Sequence, residues 1–151
     1  MRSMAAVRKA SVTWSGDLPT GKGNVSADSS GVFKGLEVSW ARRSEADANG
    51  VTSPEELLAA AHASCFAMAF SGGLGRAGTK PDSLNVTATV TFDRVGDGFK
   101  VVSSALEVRG RVPNIDEATF VKAAEAAKET CPISQALKGN VDLSVKASLE
   151  K

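Results

Sequence analysis

Residues 52–71 read TSPEELLAAAHASCFAMAFS. Ser53 is a helix N-cap, Pro54 suits the first helical position, and Glu55 and Glu56 put acids in the first turn. Glu56, three residues after Ser53, completes a capping box. The pattern predicts a helix from Ser53 to about Phe70 or Ser71, weakened by Gly72-Gly73, with Gly78 and Pro81 beyond its end. This segment is apolar nearly all round, so it has to be buried on most sides. The alanines at 59, 60, 61, 63, 67 and 69 let another backbone come close. Thin sheets from one 151-residue chain leave part of that surface for a second copy to cover. The apolar stretch from Leu57 to Phe70 is interrupted by His62 and Ser64 and is too short for a membrane span.

Outward from this helix, strands are predicted at residues 7–14, near 23–27 and over 32–40, with Ser29-Ser30-Gly31 between the last two. Ala41 to Val51 is polar and reads as a loop. After the helix, Leu84, Val86, Ala88, Val90 and Phe92 alternate with polar residues. Gly96-Asp97-Gly98 then turns the chain into a return strand from Phe99 to Val112, with a break in its pattern near Ser103-Ser104. Pro113 ends that strand. A second helix over about 116–129 has Phe120, Val121, Ala124 and Ala127 on its apolar face. Cys131-Pro132 opens a short helix to about Lys138. The last strand points Val141, Leu143, Val145, Ala147 and Leu149 inward. Strands and helices in blocks predict an α+β fold with antiparallel sheets, in a single domain over residues 1–151.

The totals exclude several functions. A net charge of +1 without a basic stripe argues against nucleic acid as a partner. The first ten residues contain no apolar core of a signal peptide, which leads us to expect a cytoplasmic protein. One histidine and two cysteines cannot build a four-ligand zinc site of the usual Cys₄ or Cys₂His₂ kind, so no metal or bound cofactor is expected. Nor do two cysteines make a disulfide scaffold.

Those cysteines carry the chemistry. Cys65 by itself is equally a small buried hydrophobe, and Cys131 by itself is a residue that ends one helix and starts another. Pro132 places Cys131 at or next to a helix N-cap, where backbone N–H groups favour a thiolate. One thiol in a buried helix and one at a helix start fit a peroxidatic and resolving pair better than two inert residues. His62 precedes Cys65 by three residues but lacks an orienting partner in any motif, so a structural role is expected. Arg42 reads as a solvated charge. Phe66, Met68 and Phe70 read as core and pocket wall.

Together, TSPEELLAAAHASCFAMAFS, the W-x-x-R of Trp40 to Arg43 and the downstream CPISQALKG resemble the OsmC/Ohr family of organic hydroperoxide reductases, closer to the OsmC branch. The resemblance spans nearly the whole chain. It implies two long central helices wrapped by sheets in an intertwined homodimer. It further implies that Cys65 is the peroxidatic cysteine, Cys131 the resolving one, Arg43 the family's arginine and Glu55 the first glutamate of its PEE motif. Arg42 adjoins Arg43 and leaves open which guanidinium reaches the thiol. The activity implied is reduction of an organic hydroperoxide through a Cys65 sulfenic acid and a Cys65–Cys131 disulfide, with an external dithiol of lipoyl or similar type as reductant. A redox sensor acting on a partner protein would use the same two thiols, and a binding dimer would leave them inert.

Overall fold

A computed structural model describes residues 5–150. The chain forms two compact units, Met1–Pro54 and Glu55–Lys151.

The first unit is a three-stranded antiparallel sheet of β1 (Ser11–Ser15), β2 (Lys22–Ser26) and β3 (Leu36–Val38), in that order. Gly23 of β2 lies beneath the Trp14 ring and Val38, where a Cβ would come within 2.9 Å of the ring and 3.0 Å of the valine. The first strand is shorter than the sequence suggests. Val12, Trp14 and Leu36 keep 57%, 40% and 38% of their surface exposed, so this sheet carries exposed apolar side chains. The stretch read as a loop begins with a short helix, α1 (Trp40–Ser44). Ser39 is the reason: its hydroxyl accepts from the Arg42 N–H and caps that turn.

The second unit opens with α2 (Pro54–Arg76). This helix continues past the expected end at residues 70–71. Each helical glycine costs about 1 kcal/mol against alanine. Beyond Gly72-Gly73, however, comes Leu74, 1% exposed, whose burial of about 1.5–3 kcal/mol offsets that cost. The stop is a Schellman motif. Gly78 takes φ +83°, Thr79 N–H donates to the Leu74 carbonyl at 2.9 Å, and Gly78 N–H donates to that of Gly75 at 3.1 Å. His62, Phe66, Phe70 and Leu74, four residues apart, form the fully buried stripe. By length and hydropathy α2 could cross a membrane, yet this stripe lies in the core of the unit. Its other faces are only partly covered, and Met68 is 75% exposed.

After α2 comes a sheet of β4 (Ser83–Val95), β5 (Gly98–Arg111) and β6 (Asp142–Leu149). The β4–β5 hairpin turns on Gly96 and Asp97, with Gly96 at φ +61°. The pattern break near Ser103-Ser104 is a bulge: Thr91 faces Ser103 while Phe92 faces Val101, so Val102 is the extra residue. From Ser104 onward, Ser104, Leu106, Val108 and Gly110 are buried and their neighbours exposed. The pairing of β6 with β5 is parallel, not antiparallel. The intervening helices α3 (Glu117–Thr130) and α4 (Pro132–Leu137) make the crossover that parallel strands require.

Phe120 of α3 is fully buried, 5.0 Å from Phe70 between ring centroids, and Phe66 lies 5.5 Å from Phe70. Such tilted pairs add about 0.5–1.5 kcal/mol to the area they bury. The Phe120 ring also presses on Gly110 of β5, where a Cβ would fall 2.6 Å from the ring. Val121, expected on the apolar face of α3, is 38% exposed, because the inward stripe runs Phe120, Ala124, Ala127.

Candidate active site

Cys65 and Cys131 meet in the core of the second unit. Cys65 is half-buried on α2, and Cys131 is fully buried where α3 ends and α4 begins. The 66-residue separation in sequence closes because α2 and α4 both pack on the core that contains Cys131. Both thiols are free, and Cys131 is near enough to Cys65 to act on its titration.

Three influences act on Cys65. Burial pushes its thiol above the ordinary range, and the neighbouring Cys131 pushes the same way through its hydrogen bond and its charge. The backbone N–H of Ile133, in the first turn of α4, donates to the Cys65 sulfur and works in the opposite direction. The sequence led us to expect that this helix start would serve Cys131. Instead, Cys131 makes no side-chain cap bond, and an N–H of that turn serves Cys65 across the gap. The net direction is upward.

His62 lies one turn before Cys65 and is fully buried. Its Nδ1 is 2.6 Å from Ser104 Oγ on β5, and its Nε2 is 2.8 Å from Ser134 Oγ on α4. Both ring nitrogens are thus satisfied, and burial lowers the imidazole pKa, holding the ring neutral. The structural role read from the sequence agrees with this geometry. Sequence reasoning missed the two serines. Their only advance signal was the need of a buried histidine for two polar partners.

Glu55, 8% exposed, sits in the first turn of α2 at the positive end of the helix dipole. Ten residues separate it from Cys65 on that helix, about 15 Å along the axis. Arg43 is on α1 in the first unit, in a cleft lined by Trp14, Leu18, Trp40 and Pro54. Its neighbour Arg42 is engaged locally. The Arg42 guanidinium donates to Glu45 at 3.0 Å, and the Asn49 amide, oriented with its oxygen inward, accepts from the same group. Among the described residues, no three His, Cys, Asp or Glu side chains gather where they could hold a metal.

A thiol pair on a buried alanine-rich helix and a Cys-Pro helix start can be compared with known proteins. The sequence profile described as OsmC-like protein matches residues 46–146. The chain belongs to the OsmC-like family. Within that family it is 42% identical over 140 residues to Peroxiredoxin OsmC of Escherichia coli strain K12, covering 93% of this chain and 96% of the relative. It is 32% identical over 95 residues to an organic hydroperoxide resistance protein of Xanthomonas axonopodis pv. citri strain 306, covering 62% of this chain and 65% of that protein. The crystal structure of the organic hydroperoxide resistance protein OhrB of Bacillus subtilis superposes with a TM-score of 0.71 at 27% identity, over 93% of this chain and 98% of that one. The mixed α+β architecture of two sheets and long helices is therefore an OsmC-like fold.

Proposed function

We propose that this protein is a thiol-dependent peroxidase that reduces organic hydroperoxides to alcohols. The observation that carries the reading is the contact between Cys65 and Cys131, two free thiols brought together from positions 66 residues apart. The names of its relatives, a peroxiredoxin and organic hydroperoxide resistance proteins, support a peroxide-related role.

The Cys65 thiolate attacks one oxygen of ROOH, the O–O bond breaks, and the leaving alkoxide takes a proton to become ROH. Cys65 is oxidised to sulfenic acid. Cys131 attacks that sulfur, an S–S bond forms, and water leaves with the hydroxyl. A dithiol then exchanges with the disulfide, returning both cysteines to thiols and leaving as its own disulfide. No bound cofactor is required. In a reducing cytoplasm, a lipoyl-type or similar dithiol would serve.

The thiolate needs a cation, because burial holds the Cys65 thiol high. Arg43 is assigned this task. Its guanidinium supplies a planar fork of N–H donors that can also donate to the peroxide oxygens. Glu55 is assigned to hold Arg43 in a bidentate fork. An extended arginine side chain spans roughly half of the 15 Å or so between Glu55 and Cys65, an estimate from ordinary bond lengths. One arginine therefore cannot serve both groups of a single α2. Two antiparallel copies of the helix remove the conflict, since the start of one lies beside the middle of the other. We assign a homodimer with Cys65 and Cys131 from one subunit and Arg43 and Glu55 mainly from the other. The exposed Met68 and the uncovered apolar residues of the first sheet support this assembly.

An activity panel of alkyl, aryl and hydrogen peroxides against several dithiols tests the proposal, run on wild type, Cys65→Ser and Cys131→Ser. Wild type is expected to turn over the organic peroxides with a dithiol. Cys65→Ser should be folded and inactive, because its hydroxyl is a far weaker nucleophile. Cys131→Ser should consume about one equivalent of peroxide and then stall with added oxygen on Cys65 by intact mass. Wild-type turnover in Cys65→Ser would end the proposal. A thiol pair that oxidises once but never turns over would favour a redox sensor.

A further inference from the structure

The catalytic cycle above makes no use of His62, although it is a buried titratable side chain that ties three elements together. It links α2 to β5 through Ser104 and to α4 through Ser134, and all three residues are at most 2% exposed. Two of the residues concerned lie one turn from a cysteine. His62 precedes Cys65 by three positions on α2, and Ser134 follows Cys131 by three positions at the start of α4. Residues three apart on a helix are neighbours on one face. His62 therefore meets Ser134 while Cys65 meets Cys131, one turn along both helices.

The two contacts differ in what they can hold. A hydrogen bond of 2.8 Å between buried groups is directional, and breaking it leaves a buried polar atom unpaired. The contact between two thiols is soft. The short helix α4 has little of its own to fix it. Six residues are too few for a helix stable in isolation, and Cys131 makes no side-chain cap bond. Ser134 is the single buried residue of α4. Its backbone carbonyl accepts from Lys138, and the Cys131 carbonyl accepts from Gln135, so Cys131 caps the same short run of helical turns that contains Ser134.

We propose that His62 is a positioning residue for the thiol pair: through Ser134, and not through Ser104, it sets the register in which Cys131 is presented to Cys65. This rests on reading the two cysteines as a peroxidatic and resolving pair. A disulfide demands sulfur atoms about 2.05 Å apart with a defined dihedral. The effective concentration of Cys131 at the Cys65 sulfur therefore depends on the placement of that turn of α4. A fixed register speeds condensation of the sulfenic acid with Cys131 and makes the resulting disulfide more stable relative to the two thiols.

The test is a redox titration of the Cys65–Cys131 pair in dithiothreitol buffers, with the disulfide read by mass after alkylation. It compares wild type with Ser134→Ala, Ser104→Ala, His62→Gln and His62→Asn. The glutamine amide nitrogen lies where Nε2 lay and keeps the bond to Ser134. The asparagine nitrogen lies where Nδ1 lay and keeps the bond to Ser104. Ser134→Ala and His62→Asn are expected to lower the equilibrium constant for disulfide formation about tenfold, a potential about 30 mV less negative, while Ser104→Ala and His62→Gln stay within about twofold of wild type. A histidine that only braces the fold would not distinguish the two arms. Equal shifts in the two serine variants, or no shift in Ser134→Ala, overturn the proposal. If the histidine variants do not fold, the two serine variants decide it alone, since each loses one hydroxyl and nothing else. A wild type that forms no Cys65–Cys131 disulfide in any buffer removes the thiol-pair reading and this proposal with it, a pattern distinct from a normal wild type with indifferent variants.

Discussion

Enclosed among hydroxyl groups, the His62 imidazole binds a proton less readily in the folded chain than in the unfolded one. Burial is the cause, and the sign follows from it. As pH falls through the ordinary histidine value of about 6.5, the unfolded chain takes up a proton that the folded chain refuses. The contribution of His62 to stability is complete above that pH and is lost as pH falls below it, by at most about 1.4 kcal/mol per pH unit. Urea denaturation between about pH 5 and pH 7, where carboxylates remain largely ionised, should show this slope in wild type and a flatter one in His62→Gln. An identical slope in both would mean that His62 is not the group responsible. At this scale the sequence was informative about the cysteines, because Cys131-Pro132 is a local signal and the surroundings of Cys65 are local too. It was silent about the partners of His62. Ser104 and Ser134 lie 42 and 72 residues away, and no spacing rule reaches that far.

Elements were legible where their signals are short-range. Ser53-Pro54 marks the start of α2, the alternation in β4 persists in its burial pattern, and the Asp116 side chain caps α3 at Thr119. They were misread where tertiary packing decides. The glycines at 72 and 73 suggested an early end to α2, but burial of Leu74 carries the helix on to Arg76. Alternation in β6 could show which residues point inward but not which way its neighbour runs. The close approach of α3 to β5 offers a test of element packing. Gly110→Ala would set a Cβ 2.6 Å from the Phe120 ring and 3.1 Å from Leu84, and a fully buried ring has nowhere to retreat. The expected cost is about 1–3 kcal/mol, seen as a lower denaturation midpoint. Gly98→Ala, with nothing within 4 Å of the added carbon, should change stability by less than about 0.5 kcal/mol. Equal effects at the two glycines would show that the Phe120 contact is not limiting.

For the whole molecule, the α+β class and the family were legible because the block from Thr52 to Ser71 is long and specific. How many chains complete the site was readable only as a conflict of lengths, Glu55 and Cys65 being too far apart on one helix for a single arginine. The homodimer proposed to resolve it makes a prediction that no single-chain site can meet. Cys65→Ser and Glu55→Ala subunits are each expected to be inactive. Mixed dimers contain one site with an intact cysteine pair facing an intact Glu55, so mixing should restore activity in a fraction of the molecules. Confirmed subunit exchange without recovered turnover, or an active monomer, would exclude the shared site.

The parallel pairing of β6 on β5 also orders events in time. The hairpin from Ser83 to Arg111 turns on two residues and is free to zip as soon as it is made. β6 can dock only after about thirty further residues have been added and both crossover helices have closed their loop. Synthesis at about 5–20 residues per second leaves an interval of seconds between the two. Throughout it, the outer edge of β5 shows unpaired N–H and C=O groups to any other strand nearby. For a nascent chain, that edge is the exposed flank, and β6 is the guard that arrives late.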